Sequence, residues 1–156
     1  MKEIYERRSI RKYNNKEIDN EIITEILKAG MNAPSAMNKK PYELIVIKNK
    51  ETLSKLSKIK PNAHMLEECN FAIAVIGLED KSTCLLDTGA LIENMLLMAK
   101  HFGIGSCWIG VTDEEIKQEL NVDTNKHLIS MVSFGYPNEN KESNNNYYEE
   151  KVTYIL

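Results

Sequence analysis

Hydrophobic and polar positions follow a helical spacing in several stretches of the chain. The apolar residues at 22, 23, 26 and 27 form one stripe of a helix that we expect to begin after Asp19 and to end at Gly30. Shorter helices are predicted over residues 3–8, 51–59 and 112–120. A capping box at positions 112–115 opens the last of these helices.

Extended spacing separates these helices and predicts a sheet. Strands are expected over residues 42–47, 71–77, 128–135 and within 103–110. The segment Phe71–Gly77 is apolar at every position, which is typical of a central strand covered on both faces. The order of elements predicts one α+β domain over residues 1–156, with an antiparallel or mixed sheet flanked by helices.

Two segments carry more apolar surface than a domain of this size needs. The predicted helix over residues 85–102 is apolar around nearly its whole circumference. The tail over residues 151–156 alternates like a strand, but no later segment follows to cover it. Both features favour burial against a second subunit.

Composition narrows the class of protein. The chain has 156 residues, 42% of them hydrophobic, and a formal net charge of −3, which argues against a protein built mainly to neutralise nucleic acid. Cys69, Cys84 and Cys107 show no CxxC spacing, which favours free thiols in a reducing compartment. A charged N-terminus and the absence of a long apolar run indicate no signal peptide and no membrane span. We therefore expect a cytoplasmic protein.

Several kinds of chemistry find no support in the sequence. His64, His101 and His127 lack the spacing of metal ligands, and neither a P-loop nor a GxSxG motif is present. The run that begins at Gly103 fails as a dinucleotide fingerprint because Trp108 occupies the position of the third glycine. Cys107 has no second thiol nearby in sequence, so we interpret it as a packed core residue.

The segment Arg7-Arg8-Ser9-Ile10-Arg11 is the strongest candidate binding site. Arginine binds phosphate with a planar fork of donors, and serine adds a small hydroxyl donor. If the segment continued the first helix, Arg7 and Arg11 would share one face and Arg8 would point elsewhere. The alternative interpretation of this cluster is a solvated basic turn.

Three separated segments together resemble the nitroreductase family of FMN-dependent oxidoreductases. They are Arg7–Tyr13, the loop Ala33-Pro34-Ser35-Ala36-Met37-Asn38-Lys39-Lys40-Pro41-Tyr42, and Gly103–Gly110 followed by Phe134-Gly135-Tyr136-Pro137. The resemblance covers essentially the whole chain. It implies a nitroreductase-like α+β fold and a domain-swapped homodimer, with the C-terminal strand exchanged and two FMN sites at the interface.

The resemblance also implies roles for individual residues. Arg7 would lie near the FMN phosphate, Arg8 near the pyrimidine edge with Ser9 beside it, and Arg11 at the ribityl chain or phosphate. Pro34, Ser35, Ala36 and Asn38 would reach the isoalloxazine ring from the other subunit. Ile109 and Gly110 would offer backbone donors near N5 and O4 of the flavin, and no catalytic side chain is assigned.

One departure from the family pattern concerns the phosphate. Many members carry a basic residue in the C-terminal segment, whereas this chain has asparagine at 144–146. Lys141 and Lys151 are the two candidates to replace that residue, and the resemblance does not choose between them.

The function implied is that of an FMN-dependent NAD(P)H oxidoreductase. It would reduce nitroaromatic, quinone or other electron-poor acceptors by ping-pong hydride transfer, with Tyr42, Met37 and His64 as candidates to line the open face of the flavin. One alternative is a flavoprotein of the same fold that is reduced by ferredoxin or flavodoxin. The other is a non-enzymatic protein whose basic N-terminal arm binds nucleic acid or a partner protein, although the net charge and the lack of stacking aromatics disfavour nucleic acid.

Overall fold

A computed structural model describes residues 1–79, 82–111, 114–143 and 146–155. Within these residues the chain forms one antiparallel sheet with the strand order β1-β2-β4-β3. The strands are β1 (Tyr42–Ile47), β2 (Phe71–Gly77), β3 (Gly105–Ile109) and β4 (His127–Gly135). The predicted strands are therefore present, and the mixed helix-and-sheet architecture is confirmed.

Five helices surround the sheet in the part of the chain that the structure describes. They are α1 (Glu3–Glu6), α2 (Asn20–Met31), α3 (Lys50–Ile59), α4 (Ser82–His101) and α5 (Glu114–Glu119). Short 3₁₀ turns occur at Ala36–Asn38, Pro61–Glu67 and Glu149–Lys151. The predicted capping box begins at Thr112 and Asp113, which lie outside the described residues.

The core lies on both faces of the sheet. On one face Phe71, Ile73 and Val75 of β2 belong to the same buried cluster as residues of α2 and α4. On the other face Ala72, Ala74 and Ile76 belong to a cluster with residues of α3 and α5. Every residue of β2 is buried, which confirms the interpretation of this segment as a central strand.

Two predicted helix ends differ from the structure. Helix α1 ends at Glu6, and Arg7 is already extended, with φ −61° and ψ 134°. The segment therefore does not continue the first helix, and Arg7 and Arg11 do not share a helical face. Helix α2 continues through Gly30, where an added Cβ would lie 2.6 Å from the Met95 Cγ atom. Gly30 is a close contact between α2 and α4 and not a helix stop.

The start of helix α4 and the C-terminal tail keep exposed apolar surface in the single chain, whereas Leu91, Ile92 and Met95 of α4 are buried in the core. Leu85 and Leu86 near the start of α4 are 57% and 74% exposed. Residues 152–155 form no ladder with any described strand, and Ile155 is 98% exposed. Among the described residues, no helix is long and apolar enough to cross a membrane.

Candidate functional site

The segment that follows the first helix runs along the outer edge of the sheet. Ser9 forms a parallel bridge with Ser106 of β3, and the Ile10 N–H donates to the Ser106 carbonyl oxygen at 2.9 Å. Farther on, Tyr13 bridges Pro137, just beyond β4. The edge strand β3 would otherwise present unpaired backbone groups here. These bonds fix the direction in which the chain leaves Arg7 and Arg8.

Two glycines allow this segment to approach the sheet closely. A Cβ on Gly105 would lie 2.9 Å from the Ile10 Cβ atom, and a Cβ on Gly135 would lie 2.7 Å from the Tyr13 Cδ1 atom. Ile10 and Tyr13 are both buried at these contacts. A side chain at either glycine would have to displace the segment that carries the arginines.

A cavity of about 150 Å³ opens beside the arginine segment. Its lining includes Arg7, Arg8, Lys100, Gly105, Ser106 and Lys141. The Arg8 Nε atom donates to the Glu142 carbonyl oxygen at 2.7 Å, and Nη1 donates to the Arg7 carbonyl oxygen at 2.7 Å. The Arg8 Nη2 atom is buried and has no hydrogen-bond partner among the described residues. A buried donor on a permanent cation is costly unless an acceptor binds it.

Three of the four cationic side chains that line this cavity form ion pairs with a carboxylate. The Arg7 Nε atom lies 3.4 Å from the Glu93 Oε1 atom. The Nζ atom of Lys100 lies 3.6 Å from a carboxylate oxygen of Glu6. Lys141 is in turn paired with Glu139 at 3.3 Å. Among the described residues, Arg8 is the cation of this lining with no ion pair to a carboxylate.

Lys141, one of the two predicted substitutes for the missing basic residue, lies at the cavity. Its Nζ atom donates to the Ser9 carbonyl oxygen at 2.6 Å. Lys151 lies elsewhere, with its Nζ atom 4.6 Å from the centre of the Tyr148 ring. Asn144 and Asn145 lie outside the described residues. The structure thus brings Lys141, and not Lys151, to the arginine segment.

Glu139 was not anticipated from the sequence. Its carboxylate lies on the cavity lining and accepts the Arg11 backbone N–H at 2.5 Å. This hydrogen bond, more than any other contact, holds the pKa of Glu139 below its usual value. Arg11 therefore contributes a backbone donor within the segment. Its own side chain is exposed, and it does not line the cavity.

Ile109 and Gly110 lie farther along the same edge strand. The Ile109 carbonyl oxygen accepts the hydroxyl of Ser130 at 2.9 Å, on the side of β4. In a trans peptide the N–H of the next residue points the opposite way, so the Gly110 N–H faces the outer edge. It has no hydrogen-bond partner among the described residues, and a Cβ on Gly110 would meet no atom within 4 Å.

In the predicted loop, Ala36 and Met37 line a different cavity together with Thr83 and Asp87, whereas Pro34, Ser35 and Asn38 are not among its lining residues. Met37 and Asn38 have positive φ angles of 53° and 55°. The Ala36 N–H donates to the buried Asp87 carboxylate at 2.9 Å. Within one chain, this loop does not join the cavity beside Arg7 and Arg8.

The three residues proposed to line an open face differ in position. Met37 is 81% exposed at the tip of the loop. The Tyr42 hydroxyl is buried without a hydrogen-bond partner in the described part of the chain, and burial, with the nearby Asp87, raises the pKa of Tyr42. His64 is exposed, and its Nδ1 atom lies 2.9 Å from the Pro61 carbonyl oxygen.

The described residues contain no group of three His, Cys, Asp or Glu side chains arranged to hold a metal ion. Cys107 is buried, and burial raises the pKa of its thiol, so its environment does not favour the reactive thiolate.

Comparison with known proteins shows the family to which the chain belongs. A family model described as “Putative TM nitroreductase” matches residues 1–155. A “Putative NADH dehydrogenase/NAD(P)H nitroreductase” of Archaeoglobus fulgidus is 39% identical over 152 residues, and the match covers 91% of this chain and 87% of the relative.

Solved structures show the same similarity. An FMN-dependent nitroreductase from Clostridium difficile R20291 superposes with a TM-score of 0.91 at 31% identity, covering 99% of this chain and 98% of the other. A “Putative NADH Oxidase” from Clostridium acetobutylicum superposes with a TM-score of 0.89 at 31% identity, covering 97% of each chain. The chain therefore belongs to the nitroreductase family.

Proposed function

We propose that this protein is an FMN-dependent oxidoreductase that takes electrons from NADH or NADPH and passes them to an electron-poor acceptor. The observation that carries the proposal is the buried Arg8 Nη2 atom, which faces no acceptor among the described residues. The similar structure from Clostridium difficile is that of an FMN-dependent nitroreductase, and the Archaeoglobus relative is named as a putative NADH dehydrogenase/NAD(P)H nitroreductase.

The chemistry along this edge of the sheet fits FMN at two points, one on the cavity lining and one at Gly110, which is not among the lining residues. Arg7, Arg8 and Lys141 supply cationic donors for a phosphate and for the pyrimidine edge of a flavin. The outward-facing N–H of Gly110 supplies a backbone donor for the ring, and the lack of a side chain there permits close approach. We assign Arg7 to the phosphate and Arg8 to the pyrimidine edge, with Ser9 and Arg11 beside them.

When bound there, FMN would supply the hydride-transfer chemistry between the nicotinamide and a nitroaromatic, quinone or activated alkene, in the ping-pong order that we propose. The protein's part is to hold the cofactor and to leave one face open. A guanidinium at the pyrimidine edge would stabilise the negative charge that gathers there on reduction. We assign no side chain as general acid.

A second copy of the chain would complete the site. Within one chain Ala36 and Met37 of the loop line a different cavity from the arginines, so we propose that the loop and the arginines that contact one flavin come from different subunits. An apolar cavity of about 640 Å³ between α1, α2 and α4 supports such an association. It is lined mainly by Met1, Ile4, Ala29, Leu97, Met98 and Phe102. We propose a homodimer in which the exposed tail over residues 152–155 packs on the partner.

Rapid anaerobic mixing of the FMN-loaded protein with each donor tests the function. We expect NADH or NADPH to bleach the flavin absorbance on the time scale of one catalytic turnover. A nitroaromatic or a quinone added afterwards should restore the absorbance. Reduction by ferredoxin or flavodoxin alone would favour the alternative electron donor. Absence of reduction by any of these donors would contradict the proposed activity.

Substitution of Arg8 tests the assignment of the binding site. Arg8→Met removes a charge-assisted hydrogen bond worth about 1.5–3 kcal/mol, so FMN affinity should fall by about 10- to 150-fold. The matched control is Lys2→Met, which removes a basic residue that is exposed near the N-terminus. Equal FMN affinities of the two variants would argue against Arg8 as a flavin ligand.

The same titration distinguishes the two candidate lysines. Lys141→Met should weaken FMN binding, because Lys141 lies on the cavity lining beside Arg7 and Arg8. Lys151→Met should leave the dissociation constant unchanged, because Lys151 contacts the Tyr148 ring instead. The reverse order of effects would assign the phosphate contact to Lys151.

A further inference from the structure

The peptide unit that joins Ile109 to Gly110 is held by a hydrogen bond on the side that faces the sheet. Ser130 of β4 is 1% exposed, and its hydroxyl oxygen lies 2.9 Å from the Ile109 carbonyl oxygen. The next possible acceptor, the Met131 carbonyl oxygen, is farther away at 3.4 Å. A hydroxyl has one proton to donate, and the shorter contact assigns it to Ile109.

The Ile109 carbonyl and the Gly110 N–H belong to one planar peptide unit. Fixing the oxygen therefore fixes the direction of the N–H, which points away from Ser130. A hydrogen bond accepted by a carbonyl also polarises the N–H of the same amide, since hydrogen bonds in a chain strengthen one another. Together with the ladder pairing of Ile109 with Met131, the Ser130 hydroxyl thus sets the direction of the Gly110 N–H, and it also strengthens this N–H as a donor.

The following peptide is held as well. The Asn62 side-chain amide donates to the Gly110 carbonyl oxygen at 3.1 Å. Gly110 is therefore restrained through the peptide before it and the peptide after it. Its N–H nevertheless has no hydrogen-bond partner in the described part of the chain. A flexible glycine held on both sides, with its donor left free, is an arrangement suited to binding an acceptor on a ligand.

We propose that Ser130, assisted by Asn62, is a positioning residue that directs the Gly110 N–H at the O4 carbonyl oxygen of the bound flavin. This inference rests on the proposed function and adds to it a determinant of the reduction potential. A stronger donor at O4 stabilises the electron-rich reduced ring more than the oxidised ring. Removal of the Ser130 hydroxyl should therefore favour oxidised FMN.

The test compares Ser130→Ala with Ser133→Ala in the full-length protein loaded with FMN. Ser133 is a matched control because it lies on the same strand, is fully buried, and pairs its hydroxyl with the Tyr13 hydroxyl at 2.8 Å instead of with the Ile109 carbonyl oxygen. Two readouts are needed, namely the infrared stretching frequency of the flavin C4=O bond and the midpoint potential of the bound flavin. A loss of stability alone would move neither of them.

For Ser130→Ala we expect a higher C4=O frequency and a relative affinity for reduced over oxidised FMN that falls about three- to tenfold. A tenfold change corresponds to a potential about 30 mV lower for a two-electron couple. Ser133→Ala should retain both wild-type values. If Ser130→Ala does not fold, Ser130→Cys provides a weaker donor of similar size, and Asn62→Ala tests an exposed position.

The inference fails if wild-type protein binds FMN but the Ser130 and Asn62 variants keep the wild-type frequency and potential. It also fails if Ser133→Ala shifts both readouts as much as Ser130→Ala does. Wild-type protein that takes up no FMN would overturn the proposed function and this assignment together, so the two failures can be told apart.

Discussion

The substitution Gly105→Ala tests how the arginine segment is attached to the sheet. A Cβ at this position would lie 2.9 to 3.0 Å from three side-chain atoms of Ile10. These atoms belong to a β-branched residue that is only 8% exposed, so they have little room to withdraw. The segment must shift outward, and Arg8 and Ser9 shift with it because they immediately precede Ile10.

The fall in the free energy of unfolding can be estimated from the contacts that the arginine segment loses. Overpacking by one methyl group in a well-packed site costs about 1–3 kcal/mol. Complete detachment of Ile10 would add the loss of a buried aliphatic side chain, about 1.5–3 kcal/mol, and of its hydrogen bond to Ser106, about 0.5–1.5 kcal/mol. A partial shift is the cheaper response, so we expect the free energy of unfolding to fall by about 1–3 kcal/mol.

Urea unfolding measures the loss of stability, and FMN titration of the same samples measures the effect of displacing Arg8 and Ser9. Gly110→Ala is the matched control, since its Cβ would meet no atom within 4 Å and its φ lies outside the left-handed region. That change should leave stability equal to the wild type or raise it by up to about 1 kcal/mol. It should still weaken FMN binding by crowding the ring. A Gly105→Ala protein as stable as the wild type would refute the contact with Ile10.

Three further substitutions test other parts of the account. Asp87→Ala should lower the free energy of unfolding by about 1.5–3 kcal/mol in urea, because the Ala36 N–H loses its acceptor, whereas Asp87→Asn should retain most of the stability. Glu139 has a lowered pKa, so its contribution to stability is present above its usual value of 4.5 and is lost as the pH falls through its folded-state pKa. The stability difference between the wild type and Glu139→Gln should therefore shrink in acid urea titrations, and a difference that grows in acid would contradict this sign. Tyr13→Phe should cost about 1–3 kcal/mol by thermal or urea unfolding, because the Ile10 carbonyl oxygen loses its hydroxyl donor at 2.6 Å and the buried Ser133 hydroxyl loses a partner at 2.8 Å. A neutral effect would argue against both bonds.

Much of the fold follows from local sequence patterns. The uninterrupted apolar run of β2 predicted that both of its faces are buried. In the structure α2 and α4 pack on one face and α3 packs on the other. Gly30 was misread as a helix stop because glycine serves both at helix ends and at close helix contacts. Only the packing of α4 against α2, with Met95 at that point, distinguishes the two uses.

The candidate site could be predicted in part. The arginine segment, Ile109 and Gly110 were identified from motifs, but the choice between Lys141 and Lys151 depends on how the C-terminal segment returns to the sheet. Glu139 and Ser130 carried no sequence signal, because their roles come from backbone groups distant in the chain. Asp87 offered a weak signal, as one of the two acidic residues, with Glu93, in helix α4.

The most direct test of the central claim is the visible absorbance spectrum of the freshly purified protein, recorded before and after addition of FMN and removal of the unbound cofactor. The account predicts flavin bands at one FMN per chain, bleached anaerobically by NADH or NADPH. Protein that stays colourless after incubation with FMN would contradict the account, because Arg8 and its neighbours would then bind something other than a flavin.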